Sequence, residues 1–261
     1  MSRSRSLFSL AIVAIAALLM LAAASEPINR NCYVSAGEKS GTFRLQTDEG
    51  DCYNHRNCGN NMSDLPSNRF TGITIADFAN QGAHLTATLA AEAGTFTCTG
   101  TIQNGELNGI GAFSSNAAFV AQMEKMGFTG YDDPKLLAYT LFDVKTEWVQ
   151  SLEQLGIRGM DSDNLIAMRI FHVEPPFVTG LTSLGYAVPD ADKLVALSVQ
   201  GVNAGEVRQI RALGYKPTLD QLIQIRIFKI TPDFIQRMQA RGLTNLTIDR
   251  LVQIRIFKLA D

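Results

Sequence analysis

The chain has 261 residues, 46% of them hydrophobic, a formal charge of −2 and four cysteines. That length and apolar content can fill the cores of two modest domains. A mildly acidic balance with no Lys/Arg run leaves no electrostatic footprint for nucleic acid, which excludes that class of partner.

Residues 1–24 read as an export signal: Arg3 and Arg5 form a short basic region, residues 7–21 an apolar core, and Ala22-Ala23-Ala24 a small-residue cleavage site. The competing reading is a retained membrane anchor, but the apolar core is short for a span of about 20 residues and ends in alanines. Cleavage near Ser25 or Glu26 would remove two arginines and take the charge from −2 to −4. No later apolar run is long enough to cross a bilayer. The expectation is a periplasmic or secreted protein with no membrane span after cleavage.

The fold class expected is α+β: a small antiparallel β domain over residues 25–115, a roll or a sandwich, followed by a helical repeat array over 116–261. In the first part, residues 41–47 alternate and stop at the turn cluster Asp48-Glu49-Gly50. Residues 84–89, 94–101 and 107–113 are three further strand candidates, the last two joined by an Asn104-Gly105 hairpin turn. Residues 73–80 read as one short helix. The glycines around Gly105, Gly109 and Gly111 belong to that hairpin and form no nucleotide cradle.

All four cysteines, Cys32, Cys52, Cys58 and Cys98, fall in this part. An even number in an exported module predicts two disulfides, and three pairings are open. A sharper alternative is a metal site in Cys52-Tyr-Asn-His55-Arg-Asn-Cys58, with Cys32 or Cys98 as a fourth ligand. An oxidising compartment favours disulfides. His84 and His172 lie far apart without partners at motif spacing and read as structural or surface residues. With no zinc-protease motif, no nucleophile elbow and no phosphate loop, the residues point to no enzyme and no cofactor.

From residue 116 a helix-like phrase ending in glycine recurs five times, at Gly127, Gly156, Gly185, Gly214 and Gly242, with spacings of 29, 29, 29 and 28 residues. A fixed period of that size marks an array of supersecondary units. Asn116, Lys145, Glu174, Asn203 and Thr231 share the column where the first helix of each unit starts. Asp132, Asp161, Asp190, Thr218 and Thr247 share the N-cap column of the second. Ile223-Gln224-Ile225-Arg226-Ile227 alternates as a strand would, but the sister segments at 165–168 and 194–197 do not, so helix is expected throughout. The unit is then a helical hairpin, and five of about 29 residues must stack into an α-solenoid or a compact array. Arg169, Arg226 and Arg255 share one column and could present a ladder to a carboxylate or phosphate-bearing partner. The plainer reading lays each stem over apolar neighbours and pairs it with an acid of an adjacent unit.

The run Glu92-Ala93-Gly94-Thr95-Phe96, Gly100-Thr101, Asn104-Gly105, Gly109, Gly111-Ala112-Phe113 resembles a passage in exported bacterial proteins. Leu213-Gly214-Tyr215, Asp220, Leu222-Ile223, Arg226-Ile227, Thr231-Pro232 and Phe234-Ile235 resemble the repeats that follow it there. Similar segments are appended to membrane metallopeptidases of the β-lactam-sensing antirepressor type, whose catalytic domain has no counterpart in this sequence. The resemblance implies an extracytoplasmic sensing or interaction module and carries over no peptidase residue. The functional expectation is a non-enzymatic module that binds a protein or peptide through its helical repeats. The alternatives are a metal or small-ligand sensor at Cys52, His55 and Cys58, and a structural envelope spacer.

Overall fold

The computed structural model describes residues 30–48, 59–243 and 245–259. The proposed signal segment and the Cys52, His55 and Cys58 loop lie outside the described residues. Seven strands, β1 (Arg30–Ala36), β2 (Thr42–Asp48), β3 (Gly59–Pro66), β4 (Phe70–Thr71), β5 (His84–Ala91), β6 (Gly94–Gln103) and β7 (Glu106–Ser115), form one antiparallel sheet in the order β3-β2-β1-β7-β6-β5-β4. The β part is therefore a single curled open sheet, not two stacked ones. One face is buried: Phe96, Cys98 and Ile102 of β6 point inward, while Thr95, Thr97, Thr99 and Thr101 alternate away from them.

The curl has a local cause. Cys32 of β1 and Cys98 of β6 are not neighbours, because β7 runs between them, pairing Gly109 with Cys32 and Gly111 with Cys98. Strands two apart in a flat sheet are separated by roughly 10 Å. Here the two Cα atoms are 5.9 Å apart and a disulfide joins them. Only glycine lets β7 pass beneath. A Cβ on Gly109 would stand 2.2 Å from the Thr99 carbonyl oxygen, and one on Gly111 would stand 2.9 Å from the Phe96 ring and 3.2 Å from Cys32 Cβ. Of the bonds open to the four cysteines, Cys32–Cys98 is formed; Cys52 and Cys58 lie outside the described residues.

Three strands, β1, β3 and β4, are not among those expected from the sequence. The β3 segment, Gly-Asn-Asn-Met-Ser-Asp-Leu-Pro, lacks apolar alternation because a register shift opposite Phe43 and Leu45 puts two residues, Ser63 and Asp64, between its two core-facing side chains, Met62 and Leu65; Asp64 has a φ of 62°. The short helix expected over 73–80 contracts to a 3₁₀ turn at Ile75–Ala79. Its start is held by Asp77, which accepts from the Thr74 backbone N–H and hydroxyl at 2.7 Å each. Those hydrogen bonds keep the Asp77 carboxyl below the ordinary carboxylate range. The turn presses Phe78 edge-on against Phe43, 5.4 Å between ring centres.

Ten helices follow among the described residues: α1 (Ala117–Lys125), α2 (Asp133–Phe142), α3 (Thr146–Glu153), α4 (Asn164–Ile170), α5 (Pro175–Thr182), α6 (Ala191–Val199), α7 (Ala204–Ala212), α8 (Leu219–Ile227), α9 (Pro232–Ala240) and α10 (Ile248–Phe257). The alternating Ile223–Ile227 segment is helical, with Leu222 and Ile225 turned to the core. Side chains of Asn116, Asp132, Asp190, Asn203, Thr218, Thr231 and Thr247 accept the first free backbone N–H groups of their helices. Asp161 differs: α4 begins three residues later, although the Asp161 carboxylate still accepts from the N–H groups of Asp163 and Asn164.

All five phrase-ending glycines have φ between 73° and 92°. The even-numbered helices end in the same left-handed way at Asp143, His172, Gly201, Lys229 and Lys258, four of them residues that rarely signal such a cap. The next N–H reaches back each time, as from Val144 to the Tyr139 carbonyl and from Ile230 to that of Ile225.

The even-numbered helices form a layer in which α2, α4, α6, α8 and α10 each touch the next, and α2 also packs on β5, β6 and β7. The buried core runs unbroken across residue 115, from Cys32 to Ile254. Two side chains tie the sheet to the helices. Arg69 donates to the carbonyls of Leu141 (2.7 Å) and Thr140 (2.8 Å) at the end of α2. Glu92, in the β5–β6 turn, accepts from the backbone N–H (2.8 Å) and hydroxyl (2.9 Å) of Thr146, whose helix has no capping side chain of its own.

The Cys32–Cys98 bond closes a 66-residue separation. A loop of that length predicts that removing the bond costs about 4 kcal/mol. Urea unfolding of the oxidised chain and of a Cys32→Ala/Cys98→Ala variant checks it; a loss under about 1 kcal/mol would show that the glycine-permitted curl persists without the staple.

Candidate interaction surface

The arginine column lies at the junctions between consecutive even-numbered helices. Arg169 Nε donates to the Phe142 carbonyl (3.1 Å), Arg226 Nε to that of Gln200 (3.0 Å) and Arg255 Nε to that of Phe228 (3.3 Å). Ser198, at the corresponding place in α6, donates to the Phe171 carbonyl. Each side chain thus serves the last carbonyls of the preceding helix, groups that the helix itself leaves without partners. At α2 the first two of these carbonyls take Arg69 from beyond the helices.

The remaining guanidinium groups are engaged as well. Arg169 Nη1 pairs with Glu174 at 2.7 Å and Arg226 Nη1 with Glu206 at 2.6 Å. Arg169 lies 5.5 Å from the Trp148 ring centre and Arg255 lies 4.5 Å from that of Phe234. Arg69 and Arg169 share Asp143, at 3.8 and 4.0 Å. Burial pushes the Arg69 guanidinium below its ordinary value, and Asp143 opposes that shift.

Other ionisable groups have structural surroundings. Tyr139 donates to the Ser162 carbonyl at 2.8 Å inside an aromatic cluster with Phe119 and Tyr131, and burial pushes its phenol far above the ordinary value. His84 and His172 are exposed, His84 lying 3.4 Å from the Thr101 hydroxyl. Among the described residues no group of three or more His, Cys, Asp or Glu side chains is placed to hold a metal.

A second apolar face appears on the even-numbered helices, at positions four residues apart and so one above the other. In α2 it consists of Leu137 and Leu141, which are 2% and 3% exposed. The corresponding pairs are Ile166 and Ile170, Val195 and Val199, Ile223 and Ile227, Val252 and Ile256. Their second members are 38%, 47%, 50% and 49% exposed. The difference follows from packing, since α2 is the helix on which the sheet sits. This face explains the strand-like alternation in α8: Ile225 is buried in the core, Ile223 packs partly buried against its edge, and Ile227 is exposed on the outer side. The signal was present in the sequence as too many β-branched residues for one buried stripe, but only the helical geometry separates the two faces.

No family model, curated protein sequence or solved structure matches the chain. Fold and surface together define a class: an α+β protein in which a disulfide-bonded curled sheet packs on the first of a layer of linked helices, while Ile170, Val199, Ile227 and Ile256 of the others are left exposed.

Replacing Arg226 with Ala removes a charged carbonyl cap and an ion pair, and is expected to cost about 1–3 kcal/mol in urea unfolding. Unchanged stability would mean that the guanidinium groups are free to serve a ligand.

Proposed function

We propose that the ten helices are five copies of one hairpin of about 29 residues, and that the chain is a non-enzymatic, exported module whose array binds a protein partner. The carrying observation is the outer apolar face of α4, α6, α8 and α10, the counterpart of a face buried by the sheet at α2. Half-exposed Ile and Val side chains in register gain about 1 kcal/mol each on burial, so the four of them would supply about 4 kcal/mol of a partner's binding and the rest of the contact the remainder. Stacked helical copies suit this use because they offer an extended, nearly continuous surface.

Export is supported by the Cys32–Cys98 bond, which persists in oxidising compartments, and by the apolar character of residues 7–21. No helix among the described residues is long and apolar enough to cross a membrane. The periplasm or the exterior is the place this reading assigns. The arginine column then supports the surface by holding successive helices in register, and contributes to binding through the shape it maintains.

A photo-crosslinking residue at position 227, in cells that make the chain, is expected to give a discrete protein adduct. The same group at the exposed position 208 of α7 should give none. Failure to form an adduct at any of positions 170, 199, 227 and 256 removes this reading.

A further inference from the structure

Building on the five-copy reading of the helices, and independently of their outer apolar face, we infer that the cleft between the C-terminal ends of α1 and α3 receives the arginine side chain of a peptide partner. The cleft has a volume of about 280 Å³ and is lined by Met126, Phe128, Glu153, Ile157, Gly159 and Met160. Phe128 and Ile157 are buried, Met126 and Met160 are partly buried, and Glu153 is exposed. The guide to its occupant is the junction of α5 and α7, two copies further along. There Arg211 donates from Nη1 to the Leu184 carbonyl just past α5, and its guanidinium lies 4.7 Å from the ring centre of Tyr186. The Tyr186 hydroxyl donates in turn to the Pro217 carbonyl at 2.7 Å.

Counting back 58 residues, two repeats of 29, carries each member of that group onto the cleft: Arg211 onto Glu153, Leu184 onto Met126, Tyr186 onto Phe128 and Pro217 onto Gly159. Three of the four changes take atoms away, namely the guanidinium arm, the phenol hydroxyl and the proline ring. The room is real at Gly159, where a Cβ would meet nothing within 4 Å. The cleft is therefore the space that a cation of the chain itself fills between α5 and α7, and the charge facing it is reversed. Glu153 has no ion-pair partner among the described residues. The carbonyls at the end of α1 add the negative end of a helix dipole. An incoming guanidinium can pair with Glu153, donate to the Met126 carbonyl and lie against Phe128, while the two thioethers flank its stem. An ammonium lacks the planar fork that makes these contacts together. The volume falls just below the range of small-molecule pockets, which gives room for one long side chain with the rest of the ligand outside.

The test is methyl NMR of the full chain labelled at its methionines, titrated to about 10 mM with the blocked tripeptides acetyl-Gly-Arg-Gly-amide and acetyl-Gly-Lys-Gly-amide. The arginine peptide is expected to shift the Met126 and Met160 methyls saturably, with a Kd of about 1 mM, and to leave the buried Met168 and Met238 unmoved. It should bind about tenfold more tightly than the lysine peptide, and Glu153→Gln should weaken it by a similar factor. Glu153→Arg should abolish binding by supplying the cation from within, and should move the same two methyls with no peptide present. No shift at the highest concentration, equal binding of the two peptides, or indifference to Glu153→Gln overturns the inference. If Glu153→Arg moves the methyls while the original chain binds no peptide, the five-copy correspondence stands and the ligand fails; if neither moves them, both fail.

Discussion

Every α-helix ends with carbonyls that its own hydrogen bonds do not reach, and in this protein the layer of even-numbered helices depends on how those groups are satisfied. The left-handed cap at Asp143, His172, Gly201, Lys229 and Lys258 turns the chain and takes up one carbonyl. A side chain of the following even-numbered helix takes up another: Arg169 for α2, Ser198 for α4, Arg226 for α6 and Arg255 for α8. A charged donor to a partly buried carbonyl is among the stronger hydrogen bonds available, and its long stem covers apolar neighbours at the same time. The array is therefore held by links from each layer to the last as much as by its core, and the spacing of its outer face follows from them.

The sheet is integrated with this array through the same chemistry. Arg69 serves the α2 carbonyls from outside the helices, and Glu92 supplies the N-terminal acceptor that α3 lacks. The sheet meets the helices at α2, which touches the three adjacent strands β5, β6 and β7. Glycines in β7 permit the curl, and the Cys32–Cys98 bond secures it. The consequence for function is an asymmetry: one end of the helical layer is covered by the sheet and the rest is open.

Much of this was legible in the sequence because it rests on local rules. Helix starts announced themselves through Asp, Asn and Thr at fixed columns, first-helix ends through glycine, and the β6–β7 hairpin through Asn104-Gly105. What failed to show had non-local causes. The two core-facing residues of β3, Met62 and Leu65, are put out of alternation by a register shift, and the left-handed caps at Asp143, His172, Lys229 and Lys258 fall on residues that, unlike glycine, do not announce them. Arg69 and Glu92 act on residues 72 and 54 positions away, a distance at which no spacing rule operates. The arginine column was visible, and its role as a set of carbonyl caps was not, because that role depends on which helix ends lie beside it. Likewise the alternation in α8 was seen, but its meaning as two apolar faces required the helix.

The central claim is that one face of the even-numbered helices is closed at α2 and open beyond it. Hydroxyl-radical footprinting of the dilute chain, read by mass spectrometry at single residues, measures this directly. The account predicts that Leu137 and Leu141 resist modification while Ile170, Val199, Ile227 and Ile256 are labelled readily. Equal protection of all six side chains under the same conditions would contradict it, since the outer face would then be buried within the single chain.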